Sequence, residues 1–125
     1  MMFQMRYYRK ILLAALCSLF GVFPQQAIAG DDHCVLLVYH RFTDDGPKST
    51  SVSPELFREH LSYLQDNDFE VLPLDEVISA LQERRVLPGK CVSLTADDGY
   101  QSIYDNAYPL LKEFQMPMAV FVATE

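Results

Sequence analysis

Basic residues are scarce in this sequence. Its 125 residues include 10 Lys and Arg against 17 Asp and Glu, a formal net charge of −7. A chain that binds nucleic acid needs a basic surface to neutralise phosphates, so this balance argues against a nucleic-acid partner. It also argues against an anionic membrane surface, and it is compatible with a neutral or cationic ligand.

Apolar runs long enough to cross a membrane are also missing. Residues 11–23, "ILLAALCSLFGVF", are too few to span a bilayer comfortably as a helix. They follow a stretch with three basic residues and no acidic one, and Ala27 and Ala29 are small residues where a signal peptidase reads. This layout predicts a signal peptide, residues 1–29, and an exported protein of the periplasm or cell envelope, without a membrane span after cleavage. An uncleaved anchor is the alternative.

Cysteines are few as well. Cys17 lies within the predicted signal peptide, which leaves Cys34 and Cys91. Each comes six residues before a polar residue that ends an apolar run, His40 and Asp97 respectively, so the two cysteines would begin parallel neighbouring strands at a similar level. An exported compartment permits a disulfide between them. Two buried free thiols are the alternative, because free cysteine packs as a small hydrophobe.

The rest of the chain, residues 30–125, alternates between apolar strands and amphipathic helices. Strands are predicted at residues 35–39, 69–72, 91–95 and 118–123, and helices at 53–66, 74–86 and 102–115. The first strand is a continuous apolar run, as expected for a strand covered on both faces. The alternation predicts an α/β fold with a mostly parallel sheet, either a barrel or an open doubly wound sheet.

The sequence predicts which face of each of the first two helices points toward the core. Ser53 is the expected N-cap of the first helix. Its inward face is predicted to carry Phe57, Leu61 and Leu64, and that of the second helix Val77, Ile78 and Leu81. The third helix is expected to be interrupted near Pro109.

Two predicted strands end in residues that can carry chemistry. Asp97 and Asp98 follow one strand in "VSLTADDGY", and His40 follows another in "CVLLVYHR". Parallel α/β folds bind ligands at the carboxyl ends of their strands, so these side chains are expected at one site. The turn at Gly99 can redirect the chain, so that one carboxylate binds a metal while its neighbour activates the metal-bound water.

A structural role for these residues is the alternative interpretation. Asp-Asp-Gly at a strand end is also ordinary turn chemistry, and a lone histidine there is often a hydrogen-bonded structural residue. Residues 44–46 repeat the letters Asp-Asp-Gly after a loop, and we interpret them as a solvated turn.

The segments "LLVYHRF", "LTADDGY" and "YDNAYPLLKEFQMPMAVFVATE" together resemble the polysaccharide deacetylase family, the NodB-homology domain. They are most similar to the branch that deacetylates poly-β-1,6-N-acetylglucosamine in biofilm-forming bacteria. The resemblance covers residues 34–125 and implies a partial, distorted (β/α) barrel, truncated after about the fourth strand. It also implies a divalent metal ion of the zinc, nickel or cobalt type and a hydrolase that removes acetyl groups from an N-acetylated polysaccharide.

The resemblance assigns a role to each candidate residue. Asp97 would be the general base, Asp98 a metal ligand, and His40 the general acid on the leaving amine. Amide hydrolysis needs an activated water, a stabilised oxyanion and a protonated leaving nitrogen, which agrees with these roles.

The sequence departs from the family's pattern in two ways. Ala96 stands where the family usually has Phe, which would leave a gap beside the site. The family's downstream His-x-x-x-His-type ligand segment is absent, and neither His33 nor His60 matches a ligand position. The expectation is therefore an N-terminal part of a deacetylase domain with an incomplete metal site. The alternative is a catalytically inactive fragment or interrupted-gene product.

A sugar-binding module is a further alternative. Tyr100, Tyr104 and Tyr108 recur at helical spacing. We interpret them as packing residues of the core or of a helix face, in preference to a sugar platform.

Overall fold

A computed structural model describes residues 33–124. The predicted signal peptide, residues 1–29, lies outside the described residues, as does Glu125. The strands in this part of the chain are β1 (Val35–Tyr39), β2 (Arg41–Phe42), β3 (Ser51–Val52), β4 (Glu70–Val71), β5 (Cys91–Ala96) and β6 (Met118–Val120). The α-helices are α1 (Pro54–Asp66), α2 (Leu74–Gln82) and α3 (Tyr108–Phe114), and a π-helical segment, Ile103–Ala107, leads into α3.

Strand β5 is the centre of the main sheet. Along one edge it pairs in parallel with all of β1, from Val35 opposite Val92 to Tyr39 opposite Ala96. Its other edge is shared by β4, which pairs with the start of β5, and β6, which pairs with its end. These pairings are parallel, which confirms the predicted α/β fold with a parallel sheet.

The main core lies between one face of this sheet and the helices α1 and α3. Strand β5 supplies Val92, Leu94 and Ala96 to it, and the predicted inward face of α1 is confirmed by three buried residues, Phe57, Leu61 and Leu64. Ser53 is the N-cap of α1, as predicted, because its Oγ accepts a hydrogen bond of 3.0 Å from the Leu56 N–H.

Strand β1 is covered on one face only, so the prediction of cover on both faces is wrong for the described residues. Leu37 and Tyr39 pack against the core, whereas Leu36 and Val38 on the opposite face are exposed. The reason is that α1 and α3 pack on the same side of the sheet. Strand β6 ends at Val120, earlier than predicted.

The inward face of α2 also differs from the prediction. Val77 is buried as expected, but its buried partner is Ala80, and Ile78 and Leu81 are exposed. Val77 and Ala80 form a second, smaller core with Cys91 and other residues near the start of β5. The large apolar residues of this helix therefore do not mark its buried face.

Within one or two residues after its end, each α-helix of the described residues is followed by a residue other than glycine in the left-handed conformation: Asp68, Arg84 and Gln115, with φ of 57°, 54° and 56°. After α2, the Arg85 N–H then donates to the Ala80 C=O at 2.8 Å. This is the bond that closes a Schellman motif, a common helix terminus. It ends α2 at Gln82, four residues before the predicted end at Val86.

A second, two-stranded sheet of β2 and β3 was not predicted. Arg41 pairs with Ser51 and Phe42 with Val52, also in parallel. Runs of two residues are too short to show a strand period, and the turn-rich segment between them predicts only a loop.

A disulfide joins Cys34 to Cys91, with a Cα–Cα distance of 4.7 Å. The two cysteines stand side by side at the start of the β1–β5 pair, at the same level as the sequence spacing suggests. Of the two alternatives left open by the sequence, the disulfide is the one present.

We expect removal of this disulfide to lower the free energy of unfolding by about 2–4 kcal/mol, because the bond closes a long loop in the unfolded chain. The loop is long because the cysteines are 57 residues apart. The test compares urea unfolding of the full chain with the Cys34→Ala/Cys91→Ala double variant. Cys17→Ala is the control, since it leaves this bond intact. Equal midpoints for all three proteins would contradict the expectation.

An ion pair between Arg58 on α1 and Glu113 on α3 links the two helices over the main core. Arg58 Nη2 donates to Glu113 Oε2 at 2.8 Å, and the second nitrogen donates to the other carboxylate oxygen. This hydrogen bonding holds the pKa of Glu113 below its ordinary value of 4.5. The side chains are about half exposed, so solvent screens the pair.

The lowered pKa predicts a pH-dependent contribution to stability. A carboxylate with a depressed pKa in the folded state stabilises the fold above its unfolded pKa, and the contribution is lost as the pH falls through the folded pKa. We therefore expect the stability of the wild-type chain to fall more steeply below pH 4.5 than that of Glu113→Gln, measured by urea unfolding across this range. Glu59→Gln serves as the control, because Glu59 makes no ion pair within residues 33–124. Parallel pH profiles for wild type and Glu113→Gln would refute the assignment.

Candidate active site

The structure brings His40 and Asp98 together at the carboxyl ends of β1 and β5. His40 follows β1 directly, and Asp98 comes two residues after β5. Nδ1 of His40 lies 3.4 Å from Oδ2 of Asp98. Their side chains are 34% and 47% exposed, so both are accessible to solvent and to a ligand.

The backbone of Asp97 is hydrogen-bonded to the residue that precedes His40. Its N–H donates to the Tyr39 C=O at 2.9 Å, which continues the β1–β5 ladder by one bond. Its side chain is partly buried and makes no hydrogen bond to another described residue. The backbone of Asp97 is therefore held at the joined ends of β1 and β5.

A tight turn at Asp98 and Gly99 directs the Asp98 side chain. Asp98 and Gly99 both adopt the left-handed conformation, with φ of 69° and 65°. Aspartate tolerates this region better than most residues, and glycine adopts it without a steric penalty. The predicted redirection of the chain thus begins at Asp98 itself, one residue before Gly99. It aims the Asp98 carboxylate at His40.

Arg41 and Tyr100 connect the two strand ends a second time. The Arg41 guanidinium carbon lies 4.0 Å from the centroid of the Tyr100 ring, and Nη2 donates to the Tyr100 hydroxyl. Nη1 donates to Thr50 Oγ1 at 3.3 Å, which ties in the loop before β3. Because Arg41 follows His40 and Tyr100 follows Gly99, this contact holds the histidine and the turn near each other.

Sequence reasoning did not identify Arg41 and Tyr100 as partners. The available signal was that each is a long polar side chain one residue beyond a candidate residue or its turn. Once β1 and β5 are paired in register, two such residues fall within reach of each other.

The other two histidines and the second Asp-Asp-Gly stretch, residues 44–46, take no part in the contact between His40 and Asp98. His60 on α1 makes a hydrogen bond of 3.2 Å with the Tyr39 hydroxyl, which is a structural contact. Burial raises the pKa of Tyr39. His33 is exposed ahead of β1. Asp44 and Asp45 are also exposed, in keeping with a solvated turn. Ala96 is fully buried in the main core.

Two hollows in the surface differ in whether the candidate residues line them. A cavity of about 130 Å³ is lined by His40 and Arg41 together with the loop before β3. A larger hollow of about 600 Å³ lies between α3 and the strands β4 and β6, is mostly apolar, and is lined by neither aspartate nor His40. The smaller cavity is therefore the one that adjoins the candidate site.

The donor set can be tested against the implied metal. Catalytic zinc sites generally use three protein ligands. Within residues 33–124, no three His, Cys, Asp or Glu side chains come together in a group that could hold a metal ion. The carboxylate of Asp98 is accessible and of the kind that can serve as one metal ligand, but the described residues hold no complete ligand set.

In the described part of the chain, no helix has both the length and the apolar character needed to cross a membrane.

Comparison with known proteins gives consistent matches. The sequence model described as polysaccharide deacetylase matches residues 84–125. The chain is 33% identical, over 66% of its length, to the poly-beta-1,6-N-acetyl-D-glucosamine N-deacetylase of Escherichia coli K12, and 35% identical, over 62%, to the enzyme of that name from Staphylococcus epidermidis. It spans only 13% and 26% of these two relatives.

Solved structures agree with the sequence matches. IcaB from Ammonifex degensii is 34% identical, with a TM-score of 0.66 over 74% of this chain and 39% of that protein. The deacetylase PplD of Streptococcus pyogenes is 33% identical, with a TM-score of 0.62 over 71% of this chain and 42% of that protein. The part of the chain that these proteins share with it is therefore similar in sequence and fold to polysaccharide deacetylases.

Proposed function

We propose that this chain carries the general base, the general acid and one metal ligand of a metal-dependent polysaccharide N-deacetylase. The observation that supports this most directly is the 3.4 Å approach of His40 Nδ1 to Asp98 Oδ2, at the joined ends of β1 and β5 in a chain similar to this family. Asp97 is the base, His40 the acid, and Asp98 the ligand. The parallel sheet is then one part of a distorted (β/α) barrel.

The reaction is hydrolysis of an acetamide. A water molecule adds to the acetyl carbon, the C–N bond breaks, and the products are acetate and the amine of the sugar. Asp97 accepts the proton of the attacking water, and its fixed backbone keeps its carboxylate beside the strand end. His40 gives a proton to the leaving nitrogen. A bound divalent ion of the zinc, nickel or cobalt type would supply a lowered pKa for that water and polarisation of the carbonyl.

Contacts around His40 suit this role. The Asp98 carboxylate faces one imidazole nitrogen and orients the ring, and the contact between Arg41 and Tyr100 holds the turn close. The adjoining cavity of about 130 Å³ gives space for a small group such as the acetyl.

The names of the relatives support the substrate class. Two of the matched relatives are poly-beta-1,6-N-acetyl-D-glucosamine N-deacetylases, so we take an N-acetylglucosamine polymer, of the kind found in biofilms, as the substrate. The disulfide supports an exported protein of the periplasm or cell envelope, because structural disulfides persist in oxidising compartments.

A second candidate function is a non-catalytic chain that keeps the fold of the family. The small number of metal donors within residues 33–124 favours it. Metal binding by Asp98 distinguishes the two. Titration calorimetry with Zn²⁺ on the full chain and on Asp98→Ala should show binding that the variant loses if the first candidate holds.

The proposed base gives a prediction for activity. We expect Asp97→Asn to lower the rate of acetate release from β-1,6-linked N-acetylglucosamine oligosaccharides, with added Zn²⁺, Co²⁺ or Ni²⁺, by about 10²–10⁴-fold, the usual contribution of a general base. Asp45→Asn is the matched control, because it lies in the solvated Asp-Asp-Gly turn. Equal rates for Asp97→Asn and the wild type would remove Asp97 from the mechanism. No acetate release with any of the metals would favour the second candidate.

A further inference from the structure

Two exposed tyrosines form a stack on the helix that follows the turn at Gly99. The rings of Tyr104 and Tyr108 lie nearly parallel, with an interplanar angle of 10° and centroids 5.8 Å apart. The two residues are 68% and 49% exposed. Of the two interpretations given above for these residues, packing in the core is wrong and packing on a helix face is correct. The aromatic surface that the stack leaves exposed is available to a ligand.

The backbone beneath the stack is irregular for an identifiable reason. Pro109 has no N–H to donate to the carbonyl of Asp105, and the chain widens into the π-helical segment just before it. The Tyr108 N–H instead donates to the Ile103 C=O. Single π-turns of this kind occur frequently at functional sites. Here the segment carries Tyr104 and leads directly into Tyr108.

The stack rests on a well-anchored helix. The Asn106 side chain donates to the Phe42 C=O at 2.7 Å, and the Phe42 N–H donates to Ser102 Oγ at 3.1 Å. Ile103 and Ala107 on the opposite side are buried in the main core. A platform held in this way loses little conformational freedom when a ligand binds, which favours affinity.

Polar groups lie on the same helix as the aromatic rings. Gln101 Nε2 donates to Asp105 Oδ1 at 3.0 Å, one turn apart on the exposed surface, and Lys112 Nζ lies over the Tyr108 ring, 5.6 Å from its centroid. A pyranose ring has an apolar C–H face and a rim of hydroxyl and amide groups. Exposed aromatic surface on a helix that also carries an amide, a carboxylate and an ammonium group complements both.

The stack is also close to the strand end in sequence. Its helix begins at Gln101, two residues after Gly99. Tyr104 and Tyr108 come three and seven residues after that start, within about two helical turns. A polymer whose reacting unit sits near Asp97 could therefore place other sugar units on the stack.

We propose that Tyr104 and Tyr108 form a stacking subsite for the sugar rings of a β-linked N-acetylhexosamine chain, away from the acetyl group that reacts. The inference rests on the proposed function for the identity of the polymer. The subsite binds sugar through ring faces and does not itself take part in hydrolysis.

The test measures binding separately from catalysis. A short β-1,6-linked N-acetylglucosamine oligosaccharide is titrated into the full chain, with the aromatic NMR signals of the tyrosines followed. The signals of Tyr104 and Tyr108 are expected to shift, and Tyr104→Ala and Tyr108→Ala are expected to weaken the affinity by about fivefold. Tyr104→Phe should retain it, because it keeps the ring face.

Tyr63→Ala provides the matched control. Tyr63 is 61% exposed on α1 and contacts the Phe69 ring at a tilt, so it offers a similar exposed ring without a parallel stack. It is expected to bind the oligosaccharide as the wild type does. Thermal unfolding of each variant checks that its fold is retained. We expect the Tyr104 variants to keep the fold, because this side chain is exposed.

Several outcomes would overturn the inference. These are an absence of shifts at Tyr104 and Tyr108, an equal loss of affinity in Tyr63→Ala, or a stack that proves to join two copies of the chain, shown by a sedimentation coefficient that falls in Tyr104→Ala. Acetate release distinguishes the subsite from the proposed function. Binding that depends on the stack without any acetate release would support the subsite and refute the proposed function. Acetate release with unchanged binding in both alanine variants would support the proposed function and refute the subsite.

Discussion

The pairing of β1 with β5 is the constraint on which the rest of the structure depends. The disulfide fixes its start, and five matched residue pairs carry the register to Tyr39 and Ala96. Because the side-chain period of a strand is two residues, a slip of one residue would turn the core face of β1 toward solvent. The same slip would move His40 out of line with Asp97 and Asp98. One register therefore sets both the packing of the core and the composition of the candidate site.

Local patterns predicted the elements well where local chemistry decides the outcome. Ser53 and the spacing of Phe57, Leu61 and Leu64 are sufficient to predict α1 and its buried face, and both were confirmed. The exposed face of β1 and the buried face of α2 depend on where other elements pack. Leu36 and Ile78 are apolar but exposed, so hydrophobicity alone gave the wrong burial for them. The left-handed residues that follow α2 and α3, Arg84 and Gln115, were also not predicted. Each stands where glycine would normally indicate a left-handed helix terminus.

The site was predictable in outline because strand ends in a parallel sheet converge. His40, Asp97 and Asp98 could be grouped from the apolar runs that precede them, and the structure does place His40 against Asp98. Their chemical roles remain proposals. The helical spacing of Tyr104 and Tyr108 already suggested packing on a helix face, which their stack bears out. The contact between Arg41 and Tyr100 could not be predicted, since it requires the register of β1 against β5.

The π-helical segment takes up one extra residue between two anchored parts of the chain. A π-turn contains one residue more than an α-helical turn. Ser102 and Asn106 bind the backbone of Phe42, whereas Leu110 and Leu111 beyond the segment are buried in the core. Because the π-turn accommodates its extra residue within about one turn, the two groups keep nearly the relative direction that a regular helix one residue shorter would give them. A regular α-helix with the same number of residues would turn one group by about 100° relative to the other. The segment Ile103–Ala107 therefore allows the link to β2 and the core packing of α3 to be made by one continuous helix.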